Sequence, residues 1–95
     1  MLFKSRPSLA GQRVIITGAS SGIGEALAVE CVRRGMHVGL VARRLDNLIR
    51  LAERLREQAG ATVQIEVAQL DVTDTDQVIP TLRGLADLLG GTDVV

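Results

Sequence analysis

Tyrosine and tryptophan are absent from the 95 residues, and Phe3 is the only aromatic side chain. Any core must therefore be aliphatic, built from Val, Leu, Ile and Ala, which suits a buried parallel sheet covered by helices. Cys31 is the only cysteine, so no intrachain disulfide can form, and the chain reads as cytoplasmic. Net charge is also missing, because 11 Lys+Arg balance 11 Asp+Glu. A neutral chain offers no basic surface for nucleic acid and none for an anionic membrane. Its charges are interleaved, as on solvated helix faces. No apolar run approaches the ~20 residues that a membrane span needs. Residues 1–12 carry Lys4 and Arg6 but no apolar stretch of signal-peptide length, and read as a lead-in.

What is present alternates between two periodicities. Arg13–Thr17 is a short β-branched run that breaks into a Gly/Ser cluster, as a buried strand does. From Gly22 to Arg34 the pattern turns helical, with Ile23, Leu27 and Cys31 along one face. Ser20 or Ser21 supplies an N-cap hydroxyl, and Gly35 follows the basic pair Arg33-Arg34, as at a helix end. His37–Ala42 reads as a second strand. Leu45–Gln58 reads as a second helix, with Leu45, Leu48, Ala52, Leu55 and Ala59 on its apolar side. Thr62–Leu70 is expected to be a third strand, with Val63, Ile65 and Val67 on one face. Asp71-Val72-Thr73-Asp74 then caps a third helix to about Leu89, which either starts near Ile79 or kinks at Pro80. Thr92–Val95 reads as the opening of a fourth strand. The order β-α-β-α-β-α-β implies right-handed crossovers and a doubly wound, Rossmann-type parallel sheet.

In such folds a ligand sits where the first strand turns into the first helix. The helix N-terminus presents unpaired amides and a positive dipole end to a diphosphate. Within Thr17-Gly18-Ala19-Ser20-Ser21-Gly22-Ile23-Gly24, Gly18 permits the tight turn. Gly22 lets phosphate approach the backbone, and Gly24 lets the helix pack close to the strand. Ser20 and Ser21 add hydroxyl donors. Gly18, Ser20, Ser21, Gly22, Ile23 and Gly24 are thus candidate binding residues. A carboxylate at the end of the second strand would hydrogen-bond a ribose 2′-OH and favour NAD. This chain has Ala42 there, followed by Arg43 and Arg44. Loss of the acid removes repulsion of a 2′-phosphate, and a guanidinium adds a bidentate partner. Arg43 is the main candidate for that contact and Arg44 a second; the plainer reading of each is a solvated surface arginine.

The spacing is G-x-x-x-G-x-G preceded by Thr, rather than the common G-x-G-x-x-G. With its downstream residues it resembles the short-chain dehydrogenase/reductase family, in the ordinary rather than the extended branch, from Leu9 to Val95. The resemblance implies that residues 1–95 are the N-terminal part of one NAD(P)-binding domain. It puts Arg43 where NADP-preferring members carry a basic residue, so that NADP is expected before NAD. It makes Asp71-Val72 similar to the pair beside the adenine ring, where the Asp accepts from the adenine amino group and the next backbone amide donates to a ring nitrogen. It further implies a small-molecule carbonyl or alcohol substrate, and a homo-oligomer, for a full-length protein.

In relatives the fourth strand leads to an Asn-Asn-Ala-Gly segment, then a catalytic Ser and a Tyr-x-x-x-Lys pair. There the Tyr moves the proton, the Lys lowers its pKa and the Ser orients the carbonyl. None of these positions lies within the 95 residues, and no tyrosine exists to replace the proton donor. No catalytic residue is assigned, and hydride transfer by this polypeptide alone is not expected. A truncated sheet edge and an isolated chain of marginal stability follow from the same expectation. The alternative from another class is a non-catalytic nucleotide-binding or sensor module.

Plainer roles stand beside the functional ones. Asp71 also suits a helix cap or turn. His37 lies at the far end of its strand from the glycine loop, in a structural or surface position. Cys31 falls on the apolar helix face as a small core residue. No base accompanies Ser20 or Ser21, so neither reads as a nucleophile.

Overall fold

The β-branched run Arg13–Thr17 forms strand β1, and His37–Ala42 forms strand β2, both with the bounds read from the sequence. Helix α1 (Gly22–Arg33) joins them, and helix α2 (Leu45–Ala59) leads to strand β3 (Ile65–Gln69) and helix α3 (Thr75–Leu89). The computed structural model describes residues 10–19 and 22–91. Most of the lead-in, Ser20, Ser21 and the expected strand Thr92–Val95 lie outside the described residues.

The sheet is parallel, in the order β1-β2-β3. Strand β2 is central and carries the driest residues: Val38, Leu40, Val41 and Ala42 are all buried. Side-chain alternation along the strands divides the core in two. Val14, Ile16, Val38 and Leu40 face α1 and α2, together with Leu48, Leu55 and Ile65. Ile15 and Val41 face the other way, against Leu85 and Leu89 of α3. Helices thus cover both faces, which explains why β2 reads as a continuous apolar run rather than an alternating one.

Gly39 sits in β2 under α3. A Cβ there would lie 2.8 Å from both Cγ and Cδ2 of Leu85 and 3.2 Å from Cδ1 of Leu89. The missing side chain is what lets α3 settle on the sheet. Gly39→Ala is expected to cost about 1–2 kcal/mol through overpacking, less whatever the reduced chain entropy returns. Urea unfolding checks it. Combined with Leu85→Ala, the double variant should be more stable than the sum of the two losses, because truncation removes the clash. Strictly additive losses would refute the contact.

Three sequence expectations change. Helix α1 buries Gly24, Ala28, Cys31 and Val32, whereas Ile23 is 86% and Leu27 50% exposed. The helix is turned by a close approach at Gly24, described below, so its small residues meet the sheet. In α2 the buried stripe is Leu48, Leu51, Ala52 and Leu55, with Leu45 exposed at the helix start. Strand β3 begins at Ile65 rather than Thr62, because Gly60–Thr62 forms a 3₁₀ turn in which Thr62 Oγ1 donates to the Ala59 carbonyl at 3.1 Å.

Helix α3 starts at Thr75 and runs through Pro80, so it does not begin near Ile79. Pro80 lies in the second turn on an exposed face. Proline at this position has no N–H to give the Asp76 carbonyl one turn back. Asp74, at the N-cap, makes no side-chain capping bond. At its other end α3 closes on Gly90, in the left-handed region at φ 82°, whose carbonyl accepts from Arg13 Nη1 at 3.0 Å. The chain leaves α3 beside the start of β1.

Side chains tie the helices together at the surface. Arg54 Nη1 of α2 donates to Glu25 Oε1 of α1 at 2.6 Å, and Gln58 Nε2 to the Val29 carbonyl at 3.3 Å. At the C-terminal end of α1, Arg33 and the following Arg34 both hydrogen-bond Glu30 and hold its carboxyl down to about 2 from an ordinary 4.5.

Candidate functional site

All three strands run the same way, so their C-terminal ends share one edge of the sheet. There the chain leaves β1 into Gly18, β2 into Arg43 and β3 into Leu70-Asp71. The exits are stitched by backbone bonds that continue the ladder. Ala19 N donates to the Val41 carbonyl at 3.1 Å, and Leu70 N to the Ala42 carbonyl at 2.9 Å. Gln69 Nε2 adds a bond to the Arg43 carbonyl at 3.1 Å. Between the exits lies an open cleft of about 290 Å³. Val41 and Leu70 form its apolar floor, and Gly18, Ala42, Arg43, Asp71, Val72 and Thr73 its walls. A neighbouring hollow of similar size shares Arg43 and Asp71 and extends to Gln77 and Thr81 of α3.

The glycine positions differ in what they do. Gly18 turns at φ 69°, a conformation that a side chain disfavours. At Gly24 a Cβ would stand 2.3 Å from the Gly18 carbonyl oxygen and 3.0 Å from Ala19 Cα. The first turn of α1 therefore rests directly on the backbone of the β1 exit. At Gly22 a Cβ would meet nothing within 4 Å. That glycine makes room for nothing in the described chain; it leaves the helix N-terminus open to the outside.

Of the sequence-derived candidates, the cleft brings together Gly18, Arg43, Asp71 and Val72. Val72 is 59% exposed beside the cleft. Gly22 and Ile23 open α1, with the Ile23 side chain in solvent, and Gly24 acts behind the loop as described. Arg44 is exposed and stands at the N-cap of α2; it is not among the residues lining the cleft. Ser20 and Ser21 fall outside the described residues.

Asp71 is held in a way that the sequence reading did not anticipate. Thr73 donates to its Oδ1 twice, from the backbone N at 3.0 Å and from Oγ1 at 2.7 Å. The Thr73 hydroxyl first, then its amide, and more weakly the Arg43 charge, hold the Asp71 carboxyl below the usual carboxylate range. The Asp-x-Thr spacing was the available signal, since such pairs form local side-chain turns. The sequence suits a cap or turn at Asp71 but does not single out Thr73 as its donor.

The remaining candidates have structural partners. His37 lies at the opposite end of β2, where its Nδ1 accepts the Gln64 backbone N–H at 2.9 Å and joins the starts of β2 and β3. Cys31 is buried in the α1 face, and burial pushes its thiol up, away from the reactive thiolate. No group of His, Cys, Asp and Glu among the described residues could hold a metal ion, and no helix among them is long and apolar enough to cross a membrane.

This arrangement has counterparts. The family model for short chain dehydrogenase matches residues 12–95. The chain is 41% identical over 87 residues to glycine betaine reductase of Emericella nidulans, covering 92% of this chain and 7% of that protein. It is 36% identical over 86 residues to glucose 1-dehydrogenase of Gluconobacter oxydans, covering 90% of this chain and 32% of that protein. L-sorbose reductase from Gluconobacter frateurii, solved in complex with NADPH and L-sorbose, is similar with a TM-score of 0.82 at 34% identity, over 92% of this chain and 33% of that one. The chain thus spans a third or less of the length of these relatives. The parallel β-α units, the glycine loop at their C-terminal edge and the match over residues 12–95 together place the chain in the short-chain dehydrogenase/reductase family of oxidoreductases.

Proposed function

We propose that this chain binds NADP(H), and that the intact protein uses it to interconvert a carbonyl and an alcohol on a small molecule. The observation that carries the reading is the cleft whose walls combine Gly18, Ala42, Arg43 and Asp71 at the ends of three parallel strands. Two features support the fit of a dinucleotide. At Gly22 the space is open, since a Cβ would meet nothing within 4 Å, and it lies at a helix N-terminus suited to a diphosphate. The cleft also offers a cation and no carboxylate at the β2 exit, which suits a 2′-phosphate better than a bare ribose hydroxyl.

Each residue then has a distinct task. The α1 N-terminus, with the Ser20 and Ser21 hydroxyls, binds diphosphate through Gly22. Ile23 contributes its backbone at the same turn. Arg43 pairs with the 2′-phosphate, with Arg44 adding positive charge nearby. Asp71 accepts from the adenine amino group and the Val72 amide donates to the ring. NADP(H), when bound, supplies or accepts a hydride. The proton of the reaction is assigned to no residue of this chain.

Competition against NADPH tests the reading without any substrate. Bound NADPH should be displaced from the intact protein by 2′,5′-ADP at least ~10-fold more readily than by 5′-ADP, because only the former offers the phosphate that Arg43 takes. Equal displacement by the two would remove the NADP assignment.

A further inference from the structure

The turn from β3 to α3 is already held by its backbone. Asp74 N donates to the Asp71 carbonyl at 2.9 Å, and Gln77 N to the Asp74 carbonyl at 3.0 Å. The Thr73 hydroxyl is not needed for that turn, yet it is committed to Asp71. Both Thr73 donors reach the same oxygen, Oδ1. Among the described residues Oδ2 accepts no hydrogen bond, although Asp71 lines both the cleft and the adjoining hollow.

We propose that Thr73 is a positioning residue for base recognition: by occupying Oδ1 with both of its donors it fixes the Asp71 carboxylate and reserves Oδ2 for an amino group on the bound purine. This rests on the reading of Asp71 as the adenine acceptor. A carboxylate attached to a free χ2 samples a broad, two-fold range of orientations. Two donors on one oxygen fill its lone pairs and stop that rotation, so the acceptor is set before the ligand arrives. The same bonds favour the ionised carboxyl, which can accept from an amino group but cannot donate to a carbonyl. The arrangement therefore selects a 6-amino purine over a 6-oxo purine, whose oxygen would face a fixed negative charge.

The test compares NADPH with its hypoxanthine analogue by calorimetry on the intact protein, in wild type, Thr73→Val, Thr73→Ser and Asp71→Asn. The wild type should prefer NADPH. Thr73→Val keeps the shape and the backbone donor but loses the hydroxyl, and should lower the preference about fivefold, the worth of one net hydrogen bond. Thr73→Ser should restore it. A residue that only staples the turn would weaken both ligands equally, so an unchanged preference in Thr73→Val overturns the proposal. Should valine unfold the turn in a thermal melt, Thr73→Ala makes the same comparison. If the wild type shows no preference, or Asp71→Asn leaves it intact, the Asp71 reading fails and the Thr73 proposal falls with it. If Asp71→Asn abolishes the preference while Thr73→Val keeps it, only the Thr73 proposal fails.

Discussion

Arg43→Asp should weaken NADPH binding to the intact protein by about 100-fold, roughly 3 kcal/mol, while leaving NADH binding equal or improved. Arg43 lines the cleft at the exit of β2, and Ala42 before it brings no charge. The substitution replaces a bidentate donor with an acceptor facing a phosphate, so attraction is lost and repulsion added. Toward NADH the new carboxylate meets a ribose diol that it can accept from. Arg43→Lys separates the two effects. It keeps the charge but not the planar fork, and should cost roughly 10-fold for NADPH. Affinities for both nucleotides, measured at fixed salt, decide the matter, since exposed charges are screened. An unchanged NADPH/NADH ratio in Arg43→Asp would mean that Arg43 is a solvated surface arginine.

Gly24→Ala should lower stability by about 2–3 kcal/mol and abolish measurable nucleotide binding. Two effects compete at this helical position. Alanine is the better helix former by about 1 kcal/mol. Against that, the new Cβ would stand 2.3 Å from the Gly18 carbonyl oxygen and 2.9 Å from its carbon. These are backbone atoms at a turn with φ 69°, so no side chain can rotate away and the helix or the loop must move. Overpacking of this kind costs more than the propensity returns. The shift also displaces the helix N-terminus from the turn that is meant to present it. Gly22→Ala is the control. Its Cβ meets nothing within 4 Å, so the melting temperature should hold while NADPH affinity falls. A Gly24→Ala protein that melts and binds like wild type would show that α1 does not depend on this approach.

Local pattern was enough wherever a residue's environment is set by its immediate neighbours. Arg13–Thr17 and His37–Ala42 are short, largely apolar runs, and both strands have the bounds expected of them. Gly18, with a positive φ, serves a need of the backbone itself, which a glycine spacing reports directly. Alternation of strand and helix was likewise sufficient for the parallel α/β layers, because a crossover helix is the short way to return a chain to a parallel strand.

The helix face of α1 needed the tertiary structure. Two sets share its helical periodicity: Ile23, Leu27 and Cys31, and Gly24, Ala28, Cys31 and Val32. Hydrophobicity favours the first set and the molecule buries the second, because Gly24 is the residue that can touch the Gly18 backbone. Asp71 is a similar case. Its sequence context favours a ligand contact and also suits a cap or turn, and only the converging bonds from Thr73 show one oxygen engaged and the other left over. The sequence by itself determined the α/β order, the glycine turn and the Ala42-Arg43 charge change, all properties of contiguous residues. Which helix face is buried, and which strand exits meet around one cleft, were decided only by packing, since close approach and shared edges join residues that the chain keeps apart.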